Sequence, residues 1–286
     1  MSVRVGVATL RRGRERHLAR QAAGIGAQTV APADYLAVVL DAPGAAPADP
    51  PPPEWPAAAA PRIVARPVAD GAPLPLAAAR NAAIAALGDV DLAILLDVDC
   101  VPGPELVAAY VAAAAVLPDA LLAGPVGHLP PGRPDGPRLS PGDREAAEVR
   151  GGRPVPPPGE VLPEPRVERF WSLSFAVRPA VHARIGGFDE GYRGYGGEDT
   201  DYAFRARRAG VGFAWAGGAW VYHQHHPVSS PPREHVDAIV RNARRFRERW
   251  GRWPMEGWLR AFAAEGLVRW DPDGTTLERT TGVVAR

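Results

Sequence analysis

The stretch Leu92-Ala-Ile-Leu-Leu96 constrains the fold of this chain more than any other part of the sequence. Its residues are apolar on both faces of an extended strand, so both faces need a cover. Strands of this kind lie in the centre of parallel sheets that carry helices on both sides. Hydrophobic residues make up 46% of the 286 residues, which is enough to bury such a core. We therefore predict an α/β protein.

The surrounding pattern alternates strands and helices, which predicts a doubly wound, mostly parallel central sheet flanked by helices. The predicted strands lie at residues 3–8, 35–40, 62–66, 92–96, 170–177 and 219–222. The predicted helices lie at residues 15–28, 76–87, 104–117 and 200–208, with a short helix after Pro179. Near the C-terminus, apolar residues at helical spacing predict an amphipathic helix: Val236, Ile239, Val240, Ala243 and Phe246.

The local composition indicates where the domain and its loops begin and end. Residues 127–165 are rich in Pro, Gly, Arg and Glu, so we expect a mobile surface loop there, with no packed element. We expect one domain over residues 1–230, with halves at 1–120 and 166–230. Residues 231–286 are expected to form a helical extension packed on the same domain.

Composition excludes several classes of protein. The 33 basic and 32 acidic residues leave a formal charge of +1, which is not typical of a protein that coats nucleic acid. The single Cys100 excludes a disulfide framework and a cysteine-rich zinc knuckle. The run from Leu106 to Leu117 is shorter than the roughly 17–25 residues of a membrane-spanning helix. The first residues lack the apolar stretch of a signal peptide, so we expect a soluble protein.

The first chemical feature is the pair Asp97 and Asp99, directly after the apolar strand. Two carboxylates spaced by two in extended backbone project to one side, at the edge of the sheet where phosphates bind. They would suit a hard divalent cation such as Mg²⁺ or Mn²⁺. The alternative is an ordinary pair of turn acids at the end of a strand.

The second feature is Gly196-Gly-Glu-Asp199, which leads into a predicted helix. The glycines let the backbone approach a ligand closely, and the start of a helix favours ionised acids. Asp199 is therefore a candidate to take a proton from a substrate hydroxyl. The alternative is an Asp N-cap.

The third feature is His223-Gln-His-His226, with three of the seven histidines in four residues. A neutral imidazole is a good ligand for a transition metal. We expect His225 to be a solvated loop residue. A zinc hydrolase is a rival use of such histidines, although the chain has no H-E-x-x-H motif.

Four motifs in the same order resemble one family: Arg169-Phe-Trp-Ser-Leu-Ser-Phe-Ala-Val-Arg178, Ile185-Gly-Gly-Phe-Asp-Glu190, Gly194-Tyr-Gly-Gly-Glu-Asp-Thr-Asp201 and Val221-Tyr-His-Gln-His-His-Pro227. They are similar to the C-terminal module of β-1,4-galactosyltransferases and to bacterial family 2 glycosyltransferases with that module. The resemblance spans about residues 3 to 227. It implies a GT-A fold, with a nucleotide-sugar-binding half at 1–120 and an acceptor and metal half at 166–230.

The resemblance also implies roles for individual residues. The metal, Mn²⁺ or Mg²⁺, would be held by Asp99, His223 and His226, with His223 where animal members have a methionine. Arg11-Arg-Gly-Arg14 resembles the donor-binding Arg-x-Arg segment, Asp41 would contact uracil, and Arg80-Asn81 resembles the donor-contacting pair of family 2 enzymes. The full set of expected donor residues is Thr9, Arg12, Arg14, Asp41, Arg80, Asn81 and Asp97.

On the acceptor side, Asp199 is expected to be the catalytic base, while Glu198, Asp201 and Tyr195 would hold the acceptor. Tyr195 takes the place of a sugar-contacting tryptophan of the family. Two departures from the family pattern leave the identity of the donor sugar and of the acceptor open. Thr200 replaces an acid, and Trp171-Ser-Leu replaces a glycine-rich segment beside the donor sugar.

The function that follows from the resemblance is an inverting, metal-dependent transfer of a sugar, galactose or a related hexose, from a UDP-linked donor to an acceptor hydroxyl. Three alternatives stay open: a retaining transferase, a catalytically silent nucleotide-sugar-binding protein and a histidine-centred metal hydrolase. The acceptor, a glycan, a lipid-linked sugar or a small molecule, is expected in the cytoplasm or at the inner membrane face. Core packing is the favoured role of the cluster Trp250, Trp253 and Trp258, with contact to a lipid-linked acceptor as the alternative.

Overall fold

The computed structural model describes residues 3–280 except 48, 53–54, 56–59 and 228, so part of the segment between the predicted strands at 35–40 and 62–66 lies outside it. The strands are β1 (Val5–Arg11), β2 (Asp34–Val39), β3 (Arg62–Ala65), β4 (Leu92–Asp97), β5 (Cys100–Pro102), β6 (Ala120–Ala123), β7 (Val126–His128), β8 (Glu148–Val149), β9 (Val161–Pro163), β10 (Ser174–Val177), β11 (Gly212–Ala216), β12 (Val221–His223), β13 (Val268–Trp270) and β14 (Leu277–Arg279). The helices are α1 (Glu15–Ile25), α2 (Leu76–Ala86), α3 (Leu106–Val116), α4 (Pro141–Glu145), α5 (Pro179–Ile185), α6 (Glu198–Arg208), α7 (Val236–Trp250) and α8 (Glu256–Ala264).

The central sheet has eight strands in the order β3-β2-β1-β4-β10-β6-β11-β9. Four of its seven pairings are parallel, so the predicted mostly parallel sheet is confirmed. The predicted central strand, β4, is parallel to β1 on one side and antiparallel to β10 on the other.

Strand β4 is buried on both faces, as its apolar run predicts. Leu92, Ile94 and Leu96 point into one apolar cluster, which also contains residues of α1 and α3. Ala93 and Leu95 point into the other, with residues of α2, α5 and α6. The sheet is therefore covered by helices on both sides, which is the physical basis of the α/β class.

A second sheet of four short strands, in the order β5-β12-β7-β8, stands at the end of β4. Strand β5 begins three residues after β4 ends, so the turn Asp97-Val98-Asp99 links the two sheets. Strand β12 lies between β5 and β7, and it ends in His223.

The expectation of a loop without packed elements over residues 127–165 is wrong. Strand β7 pairs with β12, β8 pairs with β7, and β9 pairs with β11 at the edge of the central sheet. A methyl group on Gly217 would overlap the carbonyl oxygen of Pro157, so the two backbones pack in direct contact. Prolines are compatible with edge strands, and long-range pairing therefore orders a segment whose composition is typical of a loop.

Other elements depart from the predicted boundaries. The strand predicted over 170–177 is shortened to β10, because residues 172–173 form a turn. Helix α6 begins at Glu198 rather than Thr200, so Glu198 and Asp199 lie in its first turn. Strands β5, β6 and β11, helix α8 and the β13–β14 hairpin were not predicted.

The C-terminal residues supply a third apolar cluster around Ile239, Trp253 and Phe262. Ion pairs join α7 to the rest of the chain, with Arg249 bound to Asp201 at 3.0 Å. No helix within the described ranges has both the length and the hydropathy required to cross a bilayer.

Candidate metal and catalytic site

The pairing of β5 with β12 brings Asp99 and His223 together. Cys100, the first residue of β5, lies directly opposite His223 in this antiparallel pair. The backbone amide of Gln224 donates to the backbone carbonyl of Asp99 at 2.7 Å, which extends the ladder by one bond. Two residues separated by more than 120 positions therefore share one end of a short ladder.

Asp99, His223 and His226 form a cluster suited to a metal ion. The His223 Nε2 atom lies 3.6 Å from Asp99 Oδ1, and His226 Nε2 lies 3.2 Å from Asp99 Oδ2. One ligand atom from each residue lies within 4.8 Å of the others. Ligands bound to one ion at about 2.0–2.3 Å are roughly 3–4.5 Å apart, so these three residues fit a divalent cation.

The electrostatics of the cluster favour the binding of a metal ion. Burial alone raises the pKa of the Asp99 carboxyl, but the His226 hydrogen bond and the His223 and Arg14 charges outweigh it and hold the pKa well below its ordinary value. Burial lowers the pKa of His223, although Asp99 opposes this effect. An ionised carboxylate beside a neutral imidazole is the protonation state that binds metal.

Arg14 reaches Asp99 from the turn between β1 and α1. Its guanidinium Nη1 donates to Asp99 Oδ2. Both Gly13 (φ 57°) and Arg14 (φ 59°) are left-handed, a conformation that is uncommon for a residue with a side chain. Asp41 supports this turn by accepting from the Gly13 amide at 2.6 Å and by pairing with Arg11 at 2.7 Å.

Arg12 has a different partner from Arg14. Its Nη2 atom pairs with the exposed Asp70 carboxylate at 2.8 Å. Of the two arginines expected at the donor diphosphate, the structure therefore brings only Arg14 to the metal cluster. Thr9 is buried in β1, and its hydroxyl has no hydrogen-bond partner within the described residues.

A second charged cluster lies beside the first. The Arg80 guanidinium lies 2.8 Å from Glu198 Oε1 and 3.5 Å from Asp97 Oδ1. Burial lowers the pKa of Arg80, but the surrounding acids raise it further, so the guanidinium stays charged. Burial also raises the pKa of Asp97, and Arg80 only partly compensates.

Asp199 stands in the first turn of α6. Its Oδ1 accepts from the Thr200 backbone amide at 2.7 Å. Burial and the neighbouring Glu198 charge raise the pKa of Asp199 to about 6, while Arg80 and the backbone amides of Thr200 and Ser172 oppose the rise. A carboxyl with a pKa close to neutrality is well suited to accept a proton at physiological pH.

Asp201, which was expected to hold the acceptor, lies in the protein interior, and its acceptor role remains a prediction. Asp201 is fully buried. Its carboxylate accepts from Arg249 Nη1 at 3.0 Å, Trp250 Nε1 at 2.9 Å and the Tyr192 hydroxyl at 3.3 Å. Asp201 therefore anchors α7, and no face of it is open to a substrate.

Asn81, which was expected to contact the donor, is hydrogen-bonded to the turn at residues 188–190, and its donor contact remains a prediction. Its side-chain amide donates to the Phe188 carbonyl and to Glu190, both at 2.9 Å. Its oxygen accepts from the Phe188 amide at 2.7 Å. Asn81 therefore holds the turn before α6.

Glu198 pairs with Arg80, so the acceptor role of Glu198 remains only a prediction.

Tyr195 is 39% exposed and has aromatic neighbours on the C-terminal extension. Its ring stacks on His235 at a centroid distance of 4.6 Å and on Trp258 at 5.8 Å. The Asn242 side-chain amide donates to the backbone carbonyls of Tyr195 and Gly196 at 3.2 and 2.8 Å. Helix α7 therefore fixes the glycine-rich loop that leads to Asp199.

Sequence reasoning missed three residues of this region: His17, His128 and Arg153. The His128 ring lies 5.1 Å from that of His223, because the two residues are paired in the β7–β12 ladder. The His17 ring lies 6.4 Å from that of His226. Burial lowers the pKa of both His17 and His128 to about 4. A strand predicted over residues 126–128 would have indicated that His128 lies at the sheet edge beside His223.

Arg153 lies above Trp171, with its guanidinium carbon 3.8 Å from the ring centroid. Burial lowers the pKa of Arg153 to about 10, and the Asp199 charge is the strongest effect that opposes this. Arg153 belongs to the segment predicted to be a loop, which is why no role was expected for it.

The sequence comparisons agree with the predicted resemblance. Residues 163–227 match the family model described as the N-terminal domain of galactosyltransferase, a segment that contains Asp199, His223 and His226. Over 77 residues, 27% of this chain, the sequence is 30% identical to a validoxylamine A glucosyltransferase of Streptomyces hygroscopicus subsp. jinggangensis (strain 5008). A protein of the same name from subsp. limoneus matches to the same extent. These matches span only 18% and 17% of the two relatives.

The structural comparisons establish the fold. GalNAc-T7 crystallised with UDP, GalNAc and Mn²⁺ is similar over 92% of this chain and 57% of its own, with a TM-score of 0.53 and 13% identity. Residues 1–349 of TarS from S. aureus in complex with UDP-GlcNAc are similar over 84% of this chain and 65% of their own, with a TM-score of 0.53 and 12% identity. The chain has the fold of the GT-A glycosyltransferases.

Proposed function

We propose that this chain, which has the GT-A fold and a segment of the galactosyltransferase family, is an inverting glycosyltransferase that depends on a divalent metal. It moves a sugar from a UDP-sugar to an acceptor hydroxyl. The convergence of Asp99, His223 and His226 within 4.8 Å carries this proposal, because it supplies a cation site at the sheet edge. Both solved neighbours were crystallised with UDP or a UDP-sugar, and one of them with Mn²⁺, which supports the donor and the metal.

The donor side of the reaction requires positive charge at the departing diphosphate. Asp99, His223 and His226 would hold Mn²⁺, which supplies such charge when it is bound. Arg14 contributes a guanidinium at the same carboxylate and binds a phosphate oxygen of the donor. Arg80 keeps Asp97 and Glu198 paired, so that the negative charges beside the diphosphate are partly neutralised.

The acceptor side requires a base. As the acceptor oxygen bonds to the anomeric carbon, the bond from that carbon to the diphosphate breaks on the opposite face, and the configuration inverts. Asp199 takes the proton of the acceptor hydroxyl, since its pKa of about 6 leaves it ionised at neutral pH. Tyr195, which is 39% exposed beside this base, contacts the acceptor sugar.

A thermal-shift panel tests the proposal. UDP-, GDP- and TDP-sugars are compared with and without Mn²⁺, because a ligand that binds only the folded state raises the melting temperature. We expect a UDP-sugar to stabilise the protein and to do so only with Mn²⁺. The absence of a shift with every nucleotide, or an equal shift in the presence of a chelator, would contradict the proposal.

One observation favours a second candidate. Two histidines and one carboxylate also form the ligand set of catalytic zinc sites, so a metal hydrolase remains the rival function. Stoichiometric zinc in metal analysis, with no effect of any nucleotide, would favour the hydrolase. NMR of the transfer product separates the two transferase mechanisms, because a product that keeps the donor's anomeric configuration excludes Asp199 as the base of a single displacement.

A further inference from the structure

Arg153 is a half-buried cation that lacks an anion. In the part of the chain that the structure describes, it forms no ion pair within 4 Å, and its buried Nη2 atom has no hydrogen-bond partner. Its guanidinium instead stacks on Trp171 at 3.8 Å and faces Trp215 at 5.9 Å. Taking a guanidinium out of water costs free energy unless it has a partner, so this side chain is incomplete without an anion.

The position of Arg153 is fixed by its surroundings. The preceding residue, Gly152, accepts a hydrogen bond from Arg169 Nη2 at 2.8 Å, and Arg169 also binds the buried Glu164 at 3.1 Å. A few residues further on, Pro157 lies in backbone contact with Gly217. The loop is therefore held on both sides of Arg153, and the guanidinium is already oriented before any ligand arrives.

Arg153 and Trp171 border the proposed base. The residue after Trp171 is Ser172, whose backbone amide is one of the two that stabilise the Asp199 carboxylate. Trp171 is 48% exposed, so the surface beside Asp199 is open to a ligand. A planar guanidinium binds a carboxylate or phosphate through two parallel hydrogen bonds, and an exposed indole packs against a sugar ring.

We propose that Arg153 and Trp171 form a subsite for an anionic group, a carboxylate or a phosphate, carried by the acceptor. This inference rests on the proposed function, because it assumes that Asp199 deprotonates that acceptor. The donor diphosphate is the other source of an anion. The Arg153 charge also acts on Cys100 and His128 beside the metal cluster, but the exposed Trp171 and the Ser172 amide at Asp199 favour the acceptor.

Equilibrium binding tests the subsite without knowledge of the natural acceptor. The enzyme is saturated with UDP and Mn²⁺ and titrated with glucuronate, glucose 6-phosphate or glucose in a calorimeter. We expect at least one anionic probe to bind roughly tenfold more tightly than glucose, as a charge-assisted hydrogen bond would give. Arg153→Gln should remove this preference. The matched control Arg150→Gln, in the same loop and 62% exposed, should keep it.

Two results would overturn the subsite. One is a wild-type enzyme without preference for either anionic probe. The other is a preference that survives in Arg153→Gln. The affinity of each variant for UDP and Mn²⁺, measured without a sugar probe, shows whether Arg153 binds the donor diphosphate or an anion of the acceptor. It also shows whether the variant is folded. If Arg153→Gln weakens UDP binding tenfold, the guanidinium serves the diphosphate and the acceptor subsite is refuted. If wild-type enzyme does not bind UDP, the proposed function fails and this inference falls with it.

Discussion

The Arg80 guanidinium lies 2.8 Å from the Glu198 carboxylate, and both side chains are more than nine-tenths buried. This pair joins α2 to the first turn of α6, across the end of the central sheet. It also holds the start of α6 at a fixed position relative to Asp97, which lies 3.5 Å from the same guanidinium. The geometry around Asp199 therefore depends on a buried ion pair.

Removal of Arg80 should destabilise the fold strongly. Arg80→Met leaves Glu198 and Asp97 without their cation, and breaking a buried pair in this way costs about 3–5 kcal/mol. Urea unfolding at pH 7.5 measures the loss. The control is Arg4→Met, which removes an exposed partner of Asp89 and should cost no more than about 1 kcal/mol. Equal losses in the two variants would show that burial of the pair is unimportant.

Asp199→Asn should abolish turnover and leave donor binding intact. The amide has almost the same shape but does not accept the proton, and general bases contribute roughly 10²–10⁴-fold to a rate. Release of UDP from the donor selected by the thermal-shift panel measures the rate, and calorimetry measures UDP affinity in the presence of Mn²⁺. A variant that retains wild-type turnover would refute the role of Asp199.

The reaction should lose rate in acid. Burial raises the pKa of Asp199 to about 6, and a base is active only when ionised, so the rate rises with pH up to about 6 and is level above it. Glu198→Gln removes a negative charge that raises this pKa, so the acid limb should move to lower pH. The profile is measured at saturating Mn²⁺ and donor. An unchanged limb in Glu198→Gln would contradict the assignment.

Loss of one imidazole should weaken metal binding. His226→Ala removes a nitrogen that lies 3.2 Å from Asp99, and we expect Mn²⁺ affinity to fall by at least about 100-fold, since even outer-shell changes cost roughly 10–100-fold. Electron paramagnetic resonance of free Mn²⁺ measures the affinity. The matched control is His225→Ala, an exposed neighbour outside the cluster, which should bind Mn²⁺ as the wild type does. Equal losses in the two variants would refute the site.

Gly217→Ala should destabilise the protein by about 1–3 kcal/mol, the usual cost of overpacking. The new methyl group would overlap the Pro157 carbonyl, so the loop that carries Arg153 must move. Gly136→Ala is the control, because nothing lies within 4 Å of its added carbon. Denaturant unfolding compares the two variants. If the free energy of unfolding of Gly217→Ala equalled that of the wild type, the backbone of Pro157 would not be in close contact with Gly217.

The sequence predicts those parts of the site that depend on local pattern. The apolar run before Asp97 identifies a buried strand, and a buried strand delivers the side chains that follow it to the sheet edge. The histidines of residues 223–226 lie at the end of a strand as well, so the geometric cluster with Asp99 agrees with expectation. The glycines before α6 indicate that a helix follows, but its first turn begins at Glu198, two residues before the predicted start.

The sequence does not reveal roles that depend on distant partners. The Asp201 carboxylate accepts a hydrogen bond from Arg249, 48 positions away. The Asn81 side chain is hydrogen-bonded to a turn 107 positions away. Nothing in the neighbourhood of either residue along the chain indicates these bonds. Residues 127–165 have the composition of a loop, and their pairing with β11 and β12 joins them to the two sheets. His128 and Arg153 enter the site through that pairing.

The register of β12 determines how an insertion in this part of the chain would affect the candidate metal site. His223 faces Cys100 on one side and His128 on the other. Neighbouring residues of a strand point in opposite directions, so the insertion of a single residue before Tyr222 would turn the His223 imidazole away and place Tyr222 at its position. The number of residues between Gly217 and His223 is therefore tied to the geometry of the cluster of Asp99, His223 and His226.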